Sequence, residues 1–379
     1  MDKAAAESTA APIVFSVIVP SVGRVDLLSR CLDHLAALRA PSAPWEVLVM
    51  DTAEDDRKPA VRETAAEFSQ RIRRLRYVAL PPHGLMLGRH RGVEEARGEI
   101  VSFLDDDSFV GAEWLQGIEE AFQRPDVAMA GGPNLPLFED PPPAWLDYFW
   151  IEEPDGRYLL DLSLLDYGPE TREVSPGMIW GCNLSIRKDL FLKIGGSHPD
   201  CIPAALQRFQ GDGETGLTTR AAAAGLRALY CPKIKIHHFV LRSRMTVEYF
   251  RQRAFYQGVC DSFTDIRRKH GFGPRLGVPS VRRSARRSLA RALWLCRNKV
   301  EIAARKWASY CAESGKAYRA YLSVKREVAR GHREGYDFHR REVARDPALL
   351  AWVLRENYLG AGGIPAAAGE CIGSGKRHE

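Results

Sequence analysis

The chain has 379 residues, of which 45% are hydrophobic and 27% are charged, a composition typical of a soluble globular protein with one or two domains. It contains no run of 18 apolar residues, so no transmembrane helix is expected. Residues 1–12 lack the basic start and apolar centre of a signal peptide, and the eight cysteines form no C-x-x-C pair. We therefore expect a cytoplasmic protein with reduced thiols and a disordered segment over residues 1–12.

The formal net charge of +6 is unevenly distributed along the chain. Residues 267–345 contain 22 Lys or Arg and 6 Asp or Glu, a net charge of +16, so the remainder carries −10. This asymmetry predicts a boundary near residue 270 and a basic segment that faces an anionic partner.

Apolar runs alternate with helical patterns in the first third of the chain, which predicts a parallel, doubly wound α/β sheet. The predicted strands are 15–20, 45–50, 74–80, 100–104 and 127–130. Helical spacing of apolar residues is seen over 27–35 and 87–97. Residues 133–175 are rich in proline and aromatic residues, which predicts a long irregular loop that acts as a lid or binding loop.

The rest of the chain continues with strands and then with helices. The predicted elements are a strand over 177–187, a helix over 188–194, a helix that opens at 210–217, and a strand over 230–238. Beyond residue 270 the pattern predicts a basic helix with an apolar stripe from Leu289 to Trp307 and a further helix over 324–354. The stripe favours packing on the preceding domain, and contact with an anionic membrane surface is its alternative use.

Three consecutive aspartates, Asp105, Asp106 and Asp107, follow the predicted strand 100–104. Adjacent carboxylates repel one another unless a cation lies among them, and Mg²⁺ is commonly held by one or two carboxylates and substrate phosphates. The carboxyl edge of an open α/β sheet is also where ligands usually bind, and Asp51 ends another strand at that edge. The alternative is a solvated acidic turn before the helix that begins near Gly111.

Two further positions combine a functional and a structural interpretation. Asp212 lies at the start of a predicted helix, where it is either an acid–base group or an N-cap, and Glu214 lies in the first turn. His237 and His238 face opposite ways on one strand, so only one of them is expected to join a site. No G-x-G-x-x-G follows the first strand, and no P-loop motif is present, which argues against Rossmann and P-loop nucleotide binding.

Six segments form a pattern over residues 13–262: FSVIVPSVGR, WEVLVMDTA, GLMLGRHRGVEEARGEIVSFLDDDSF, MIWGCNLSIRKDLFLKIGG, GDGETGLTTRAAAAG and HFVLRSRMTVEYFRQRAFYQG. In this order they resemble family 2 of the nucleotide-sugar glycosyltransferases. The resemblance implies a GT-A-type, doubly wound, mostly parallel sheet with helices on both faces over residues 13–270. A basic helical extension over 271–358 and a disordered tail over 359–379 would follow.

The resemblance also implies roles for individual residues. Asp107 and His238 would hold Mn²⁺ or Mg²⁺, and Asp212 would be the general base. The residues expected to contact the nucleotide are Pro20, Arg24, Asp51, Arg89, Asp105, Asp106 and Arg253. Those expected beside the acceptor are Asn183, Trp180 and Glu214. The chain departs from the family pattern at His90, which replaces an Asn, and at Gly211, which replaces the Glu before the base.

These roles together imply a metal-dependent, inverting glycosyltransferase. It would use a nucleoside diphosphate sugar as donor and a glycan, a lipid-linked saccharide or a small metabolite as hydroxyl acceptor. The expected location is the cytoplasm, with peripheral contact at the inner face of the membrane as an option. Two alternatives stay open: a nucleic-acid-binding protein that acts through the basic segment, and an inactive, transferase-like scaffold.

Overall fold

The computed structural model describes residues 14–82, 84–272 and 315–360 of the protein. The predicted disordered segment 1–12 and the apolar stripe from Leu289 to Trp307 lie outside these residues. So does the predicted tail beyond residue 360.

Fourteen strands form two sheets within the described residues. In chain order they are β1 (Phe15–Ser21), β2 (Trp45–Asp51), β3 (Leu75–Ala79), β4 (Ile100–Leu104), β5 (Ser108–Val110), β6 (Val127–Gly131), β7 (Asn134–Phe138), β8 (Ile151–Glu153), β9 (Gly156–Leu159), β10 (Leu164–Asp166), β11 (Arg172–Val174), β12 (Asn183–Arg187), β13 (Arg227–Tyr230) and β14 (Ile236–Val240). The helices are α1 (Val25–Ala36), α2 (Lys58–Phe68), α3 (Leu85–Glu95), α4 (Trp114–Phe122), α5 (Lys188–Lys193), α6 (Gly213–Ala223), α7 (Val247–Lys269), α8 (Gly315–Arg345) and α9 (Pro347–Val353).

The main sheet has eight strands in the order β11-β13-β6-β12-β4-β1-β2-β3. Only β12 and β11 run antiparallel to their neighbours in this sheet, and the other six strands share one direction. The predicted α/β class with a mostly parallel sheet is therefore confirmed.

Helices cover both faces of this sheet because its strands bury alternate residues on opposite sides. In β1, Val17 and Val19 belong to a core with α1, α2 and α4, whereas Ile18 belongs to a second core with α3, α5 and α6. All three side chains are fully buried. The strands are therefore continuous apolar runs whose alternate residues pack against the helices on opposite faces, as expected for a doubly wound sheet.

The second sheet has the order β5-β14-β7-β10-β9-β8 and corrects the prediction of an irregular loop over 133–175. Five short strands, β7 to β11, lie in this region, interrupted by proline-containing turns. Strands β8, β9 and β10 pair with their neighbours in the chain, whereas β7 runs parallel to β14 about a hundred residues later. Strands of three to five residues carry too little local periodicity to be recognised from the sequence.

The predicted strand 230–238 is two strands that belong to different sheets. A turn at Cys231–Ile234 separates β13 in the main sheet from β14 in the second. In β14, His238 is buried and His237 is only half-buried, as expected for neighbours on one strand. Likewise, the predicted strand 177–187 forms a strand only over Asn183–Arg187.

The C-terminal helices pack on the sheet domain. Helix α8 lies along α7, and glycines at the crossing, Gly258 and Gly335, let the two backbones meet without side chains between them. The predicted helix 324–354 is broken at Asp346, whose carboxylate caps α9 by accepting from Ala348 N at 2.9 Å. Beyond α9, the Tyr358 hydroxyl donates to the Trp352 carbonyl oxygen at 2.7 Å. In the described part of the chain, no helix has the length and hydrophobicity needed to cross a membrane.

Candidate active site

The three aspartates lie at the carboxyl end of β4, where the two sheets meet. Asp106 and Asp107 are almost fully buried, at 1% exposure each, and Asp105 is partly exposed. The Asp107 carbonyl oxygen accepts from Phe239 N at 2.8 Å, and Ser108 pairs with His238 between β5 and β14. The main sheet thus supplies the carboxylates, and the second sheet brings a histidine to them.

Two guanidinium groups compensate the buried negative charge. Arg24, at the N-terminal end of α1, donates to Asp107 Oδ2 at 2.9 Å and also pairs with Asp106. Arg244, six residues beyond His238, donates to the same Asp107 oxygen at 2.8 Å. Sequence reasoning placed Arg24 at the nucleotide but missed Arg244, which stands inside the quoted segment HFVLRSRM.

The pKa values of the two buried aspartates are shifted in opposite directions. Burial alone would raise the pKa of Asp107, but His238, Arg244 and Arg24 outweigh it and hold that pKa below its usual value. Burial raises the pKa of Asp106 to about 7, and the negative charge of Asp107 adds to this effect although Arg24 opposes it. Asp107 is therefore the carboxylate that the site keeps ionised.

His238 Nε2 faces an oxygen of Asp107 that has no hydrogen-bond partner. His238 Nδ1 lies 2.9 Å from the Leu162 carbonyl oxygen, to which it donates, so Nε2 carries the lone pair and accepts from Arg244 Nη1 at 3.3 Å. That Nε2 lies 3.5 Å from Asp107 Oδ1, which is buried and has no hydrogen-bond partner. A histidine oriented by a backbone carbonyl and an unpaired carboxylate oxygen are the donors that a divalent cation needs.

Asp107 and His238 are two side chains that could bind a cation at the end of β4. No cluster of three or more metal-binding side chains is present in the described ranges. Two protein ligands fit Mg²⁺ or Mn²⁺ when phosphate oxygens and water complete the coordination.

Arg89 joins Glu214 to the aspartates. This buried residue of α3 donates to Asp105 Oδ1 at 2.9 Å, and its other terminal nitrogen lies 3.7 Å from Glu214 Oε2. The side chain of Glu214 is one-third exposed, and it comes from the first turn of α6. The structure therefore brings Arg89, Asp105 and Glu214 together, as the sequence predicted for one site.

The side chain of Asp212 is buried, and both oxygens of its carboxylate contact other side chains. Its Oδ1 lies 2.5 Å from His198 Nδ1, and its Oδ2 accepts from the Thr264 hydroxyl at 2.7 Å. Burial would raise its pKa, but the contacts with His198, Thr264 and Arg220 lower it overall. The side chain makes no N-cap hydrogen bond either. The N-cap interpretation is therefore wrong, and the carboxylate of Asp212 belongs to a buried network that joins α6 to α7.

Asn183 was expected beside the acceptor, but the structure places it in the core. Its oxygen accepts from Trp114 Nε1 at 2.9 Å, and its amide nitrogen donates to Asn134 and to the Ile234 carbonyl oxygen. Both amide hydrogens are therefore used inside the protein. Trp180, three residues earlier, is half-buried, and its edge faces the Tyr158 ring.

The remaining predicted nucleotide residues lie at the same edge of the sheet with different surroundings. Asp51 is buried and accepts from Ala53 N and from the Tyr77 hydroxyl at 2.7 Å. Pro20 is the residue before the last in β1, and its side chain lies close to Gly88. Arg253, on α7, interacts with Asp200 and has no direct contact with Asp107 among the described residues.

At the position where the family pattern has Asn, His90 is buried and accepts from Ser197 N at 3.1 Å. Burial lowers the pKa of His90 to about 4, so it is neutral. Its contact with Ser197 fixes the loop after α5. The departure from the pattern therefore has a structural use.

Residues 16–193 match the model of the glycosyl transferase family 2. The match runs from β1 through α5 and includes Arg24, Arg89 and the three aspartates. Over these residues the chain is similar to family 2 glycosyltransferase domains, and the resemblance inferred from the six segments is confirmed for this part of the chain.

Two curated proteins show the level of sequence similarity between this chain and its relatives. A glucosyl-dolichyl phosphate glucuronosyltransferase of Haloferax volcanii is 22% identical over 186 residues, which cover 48% of this chain and 56% of that protein. The succinoglycan biosynthesis protein ExoM of Rhizobium meliloti is 23% identical over 246 residues, which cover 64% of this chain and 73% of that protein. The chain spans about half the length of the first relatives that it matches, or less.

A similar solved structure is that of a mannosyltransferase from Pyrobaculum calidifontis in complex with GDP-Man and Mn²⁺. It is 19% identical, covers 91% of this chain and 88% of its own, and has a TM-score of 0.49.

Replacing Asp212 by Asn tests its structural role. The folded-state pKa of Asp212 is lowered, so its ionised form stabilises the fold above the unfolded value of about 3.9, and this contribution is lost as the pH falls through the folded value. We expect Asp212→Asn to lower the free energy of unfolding at pH 7 by roughly 1–3 kcal/mol, with the difference shrinking below about pH 4.

Urea unfolding of both proteins at pH 7 and at acidic pH measures this difference. Asp189→Asn, at an exposed position of α5, is the control that should change little at either pH. Wild-type stability of Asp212→Asn at pH 7 would contradict the assignment.

Proposed function

We propose that the protein is a metal-dependent, inverting glycosyltransferase that moves a sugar from a nucleoside diphosphate sugar to a hydroxyl acceptor. The observation that carries this proposal is the ionised, buried Asp107, whose Oδ1 has no hydrogen-bond partner and lies 3.5 Å from His238 Nε2. The similarity to family 2 domains over residues 16–193 supports the reaction class.

The leaving group of such a transfer is a nucleoside diphosphate that gains negative charge as the anomeric C–O bond breaks. Arg24 and Arg244 already bind the carboxylate oxygens beside this position, and guanidinium groups also bind phosphate oxygens. A divalent cation held by Asp107 and His238 would add positive charge next to the departing diphosphate. Such fixed charges stabilise the transition state because they do not have to reorganise.

We assign the general base to Glu214 instead of Asp212. Glu214 is partly exposed and shares Arg89 with Asp105, whereas Asp212 has both oxygens engaged inside the protein. Glu214 would take the proton of the acceptor hydroxyl while that oxygen attacks the anomeric carbon. Attack on the face opposite the departing diphosphate inverts the configuration. Trp180 remains the predicted aromatic contact for the acceptor, which is a glycan, a lipid-linked saccharide or a small metabolite.

Replacing Asp107 by Asn tests the proposal. We expect transfer to fall by a factor of about 10² or more, because the carboxylate that faces His238 and two arginines is lost. Initial rates with UDP-, GDP- and dTDP-sugars in Mn²⁺ or Mg²⁺ measure the effect, and a melting curve checks that the variant is folded. Exposed Asp189→Asn is the matched control. Near-normal turnover by Asp107→Asn in the presence of a chelator would refute metal-dependent transfer at this site.

A peripheral contact with an anionic membrane is supported by the outer face of α8. The face toward α7 is buried at Val324, Gly331 and Gly335. The opposite face exposes a row of arginines over roughly 40 Å: Arg319, Arg326, Arg330, Arg333, Arg341 and Arg345. Arg326, Arg333 and Arg341 form no salt bridge within the described chain. Each basic residue close to an anionic membrane surface contributes about 1 kcal/mol to the binding free energy.

Vesicle sedimentation tests this contact. We expect binding to vesicles with anionic phosphatidylglycerol, no binding to neutral phosphatidylcholine, and a fall of at least about 100-fold when Arg326, Arg333 and Arg341 are all changed to Glu. The control changes three exposed arginines of the sheet domain, Arg73, Arg91 and Arg97, to Glu. Equal binding by the two triple variants would refute the assignment of the surface. Binding of the protein to RNA but not to vesicles would favour the nucleic-acid alternative.

A further inference from the structure

A second carboxylate, that of Asp200, lies beside Glu214 at the start of α6. The loop before it is tied to α6 by two backbone hydrogen bonds, from His198 N to the Gly213 carbonyl oxygen at 3.1 Å and from Gly211 N to the Pro199 carbonyl oxygen at 2.8 Å. These bonds fix Asp200 against the residue that precedes Glu214. No pattern in the sequence had singled out Asp200.

Gly213 provides the space that the Asp200 carboxylate fills. A Cβ added at Gly213 would lie 2.5 Å from Asp200 Oδ2, and Gly213 has a positive φ of 54° that side chains rarely adopt. The absence of a side chain at 213 and the position of Asp200 are therefore complementary. One oxygen of Asp200 accepts from Cys201 N at 2.8 Å, which orients the group.

Charged and titratable groups from three helices face Asp200: Glu214 from α6, Arg253 and Cys260 from α7, and Arg89 from α3, together with Cys201 of its own loop. Burial raises the pKa of Asp200 to about 6 and the charge of Glu214 contributes, while Arg253 and Arg89 oppose the rise. Asp200 therefore changes its charge near neutral pH, in contrast to Asp212.

We propose that Asp200 is a positioning residue that shares with Glu214 the proton taken from the acceptor. The inference rests on the proposed function and deepens it. In the transfer, the acceptor O–H bond breaks and its proton goes to Glu214. The new bond forms between the acceptor oxygen and the anomeric carbon, and the electron pair of the broken C–O bond leaves with the diphosphate. The proton then passes from Glu214 to Asp200 and on to water, which restores the base.

The geometry explains why a second carboxylate is useful here. Glu214 lies against Arg89, which also holds Asp105, so its carboxylate is bound on one side by a cation. A neighbouring carboxylate offsets that cation and gives the proton a second site. Arg253 also interacts with Asp200, and its positive charge offsets part of the negative charge of the two carboxylates.

The experiment compares the pH dependence of kcat/KM for the wild type, Asp200→Asn and Glu214→Gln. Asparagine still accepts the hydrogen bond from Cys201 N, so the loop should keep its conformation. The wild-type kcat/KM should fall as the pH drops through about 6, where Asp200 already holds the proton. In Asp200→Asn this acidic limb should move to lower pH, with kcat at pH 7.5 reduced roughly tenfold and the donor KM unchanged. Glu214→Gln should lose about 10²–10⁴-fold in kcat.

Two further variants keep the outcome decisive. Gly213→Ala retains the charge of Asp200 but pushes its carboxylate away, and it should move the same limb if melting shows it folded. Asp189→Asn should leave both kcat and the pH profile unchanged. An Asp200→Asn enzyme with the wild-type acidic limb, or one that loses stability and activity without a change in pH profile, would overturn the inference. Wild-type kcat in Glu214→Gln would instead overturn the base assigned in the proposed function.

Discussion

Buried negative charge at the end of β4 is the constraint around which this part of the molecule is arranged. Two almost fully buried carboxylates, Asp106 and Asp107, are costly unless cations accompany them. Arg24 comes from the helix after β1, and Arg244 and His238 come from the second sheet and the turn after it. The same charge pairing that makes the site therefore also joins the two sheets.

A second network of buried hydrogen bonds positions the start of α6. Thr264 of α7 donates to Asp212, which holds His198, and His198 in turn contacts Arg220 of α6. The ring of Tyr358 packs edge-on against His198, with ring centroids 5.5 Å apart. The C-terminal residues thus help to fix the turn that carries Glu214, which explains why helices so distant in sequence pack behind the site.

The main sheet could be predicted because its strands are continuous apolar runs that end in turn or acidic residues. The position of the aspartates could be predicted for the same reason, since parallel strands place their ends at one edge. His238, in the second sheet, was indicated only by the resemblance to the family. The short strands of the second sheet could not be predicted, because runs of three to five residues carry too little periodicity and because β7 pairs with β14 about a hundred residues later. The roles of Asp212 and Glu214 could not be distinguished either: the two stand within one helical turn, and only the packing of His198 and Arg89 shows which carboxylate is enclosed and which faces the site.

The central claim is that Asp107 and His238 hold a divalent cation together with a nucleoside diphosphate. Its most direct test is to measure Mn²⁺ binding with and without the diphosphate, using electron paramagnetic resonance to detect the free ion. Because the protein offers Asp107 and His238 alone, Mn²⁺ should bind weakly to the protein and at least about tenfold more tightly with UDP or GDP present. The His238→Ala variant should lose most of this gain. Equal Mn²⁺ affinity with and without either diphosphate would contradict the account.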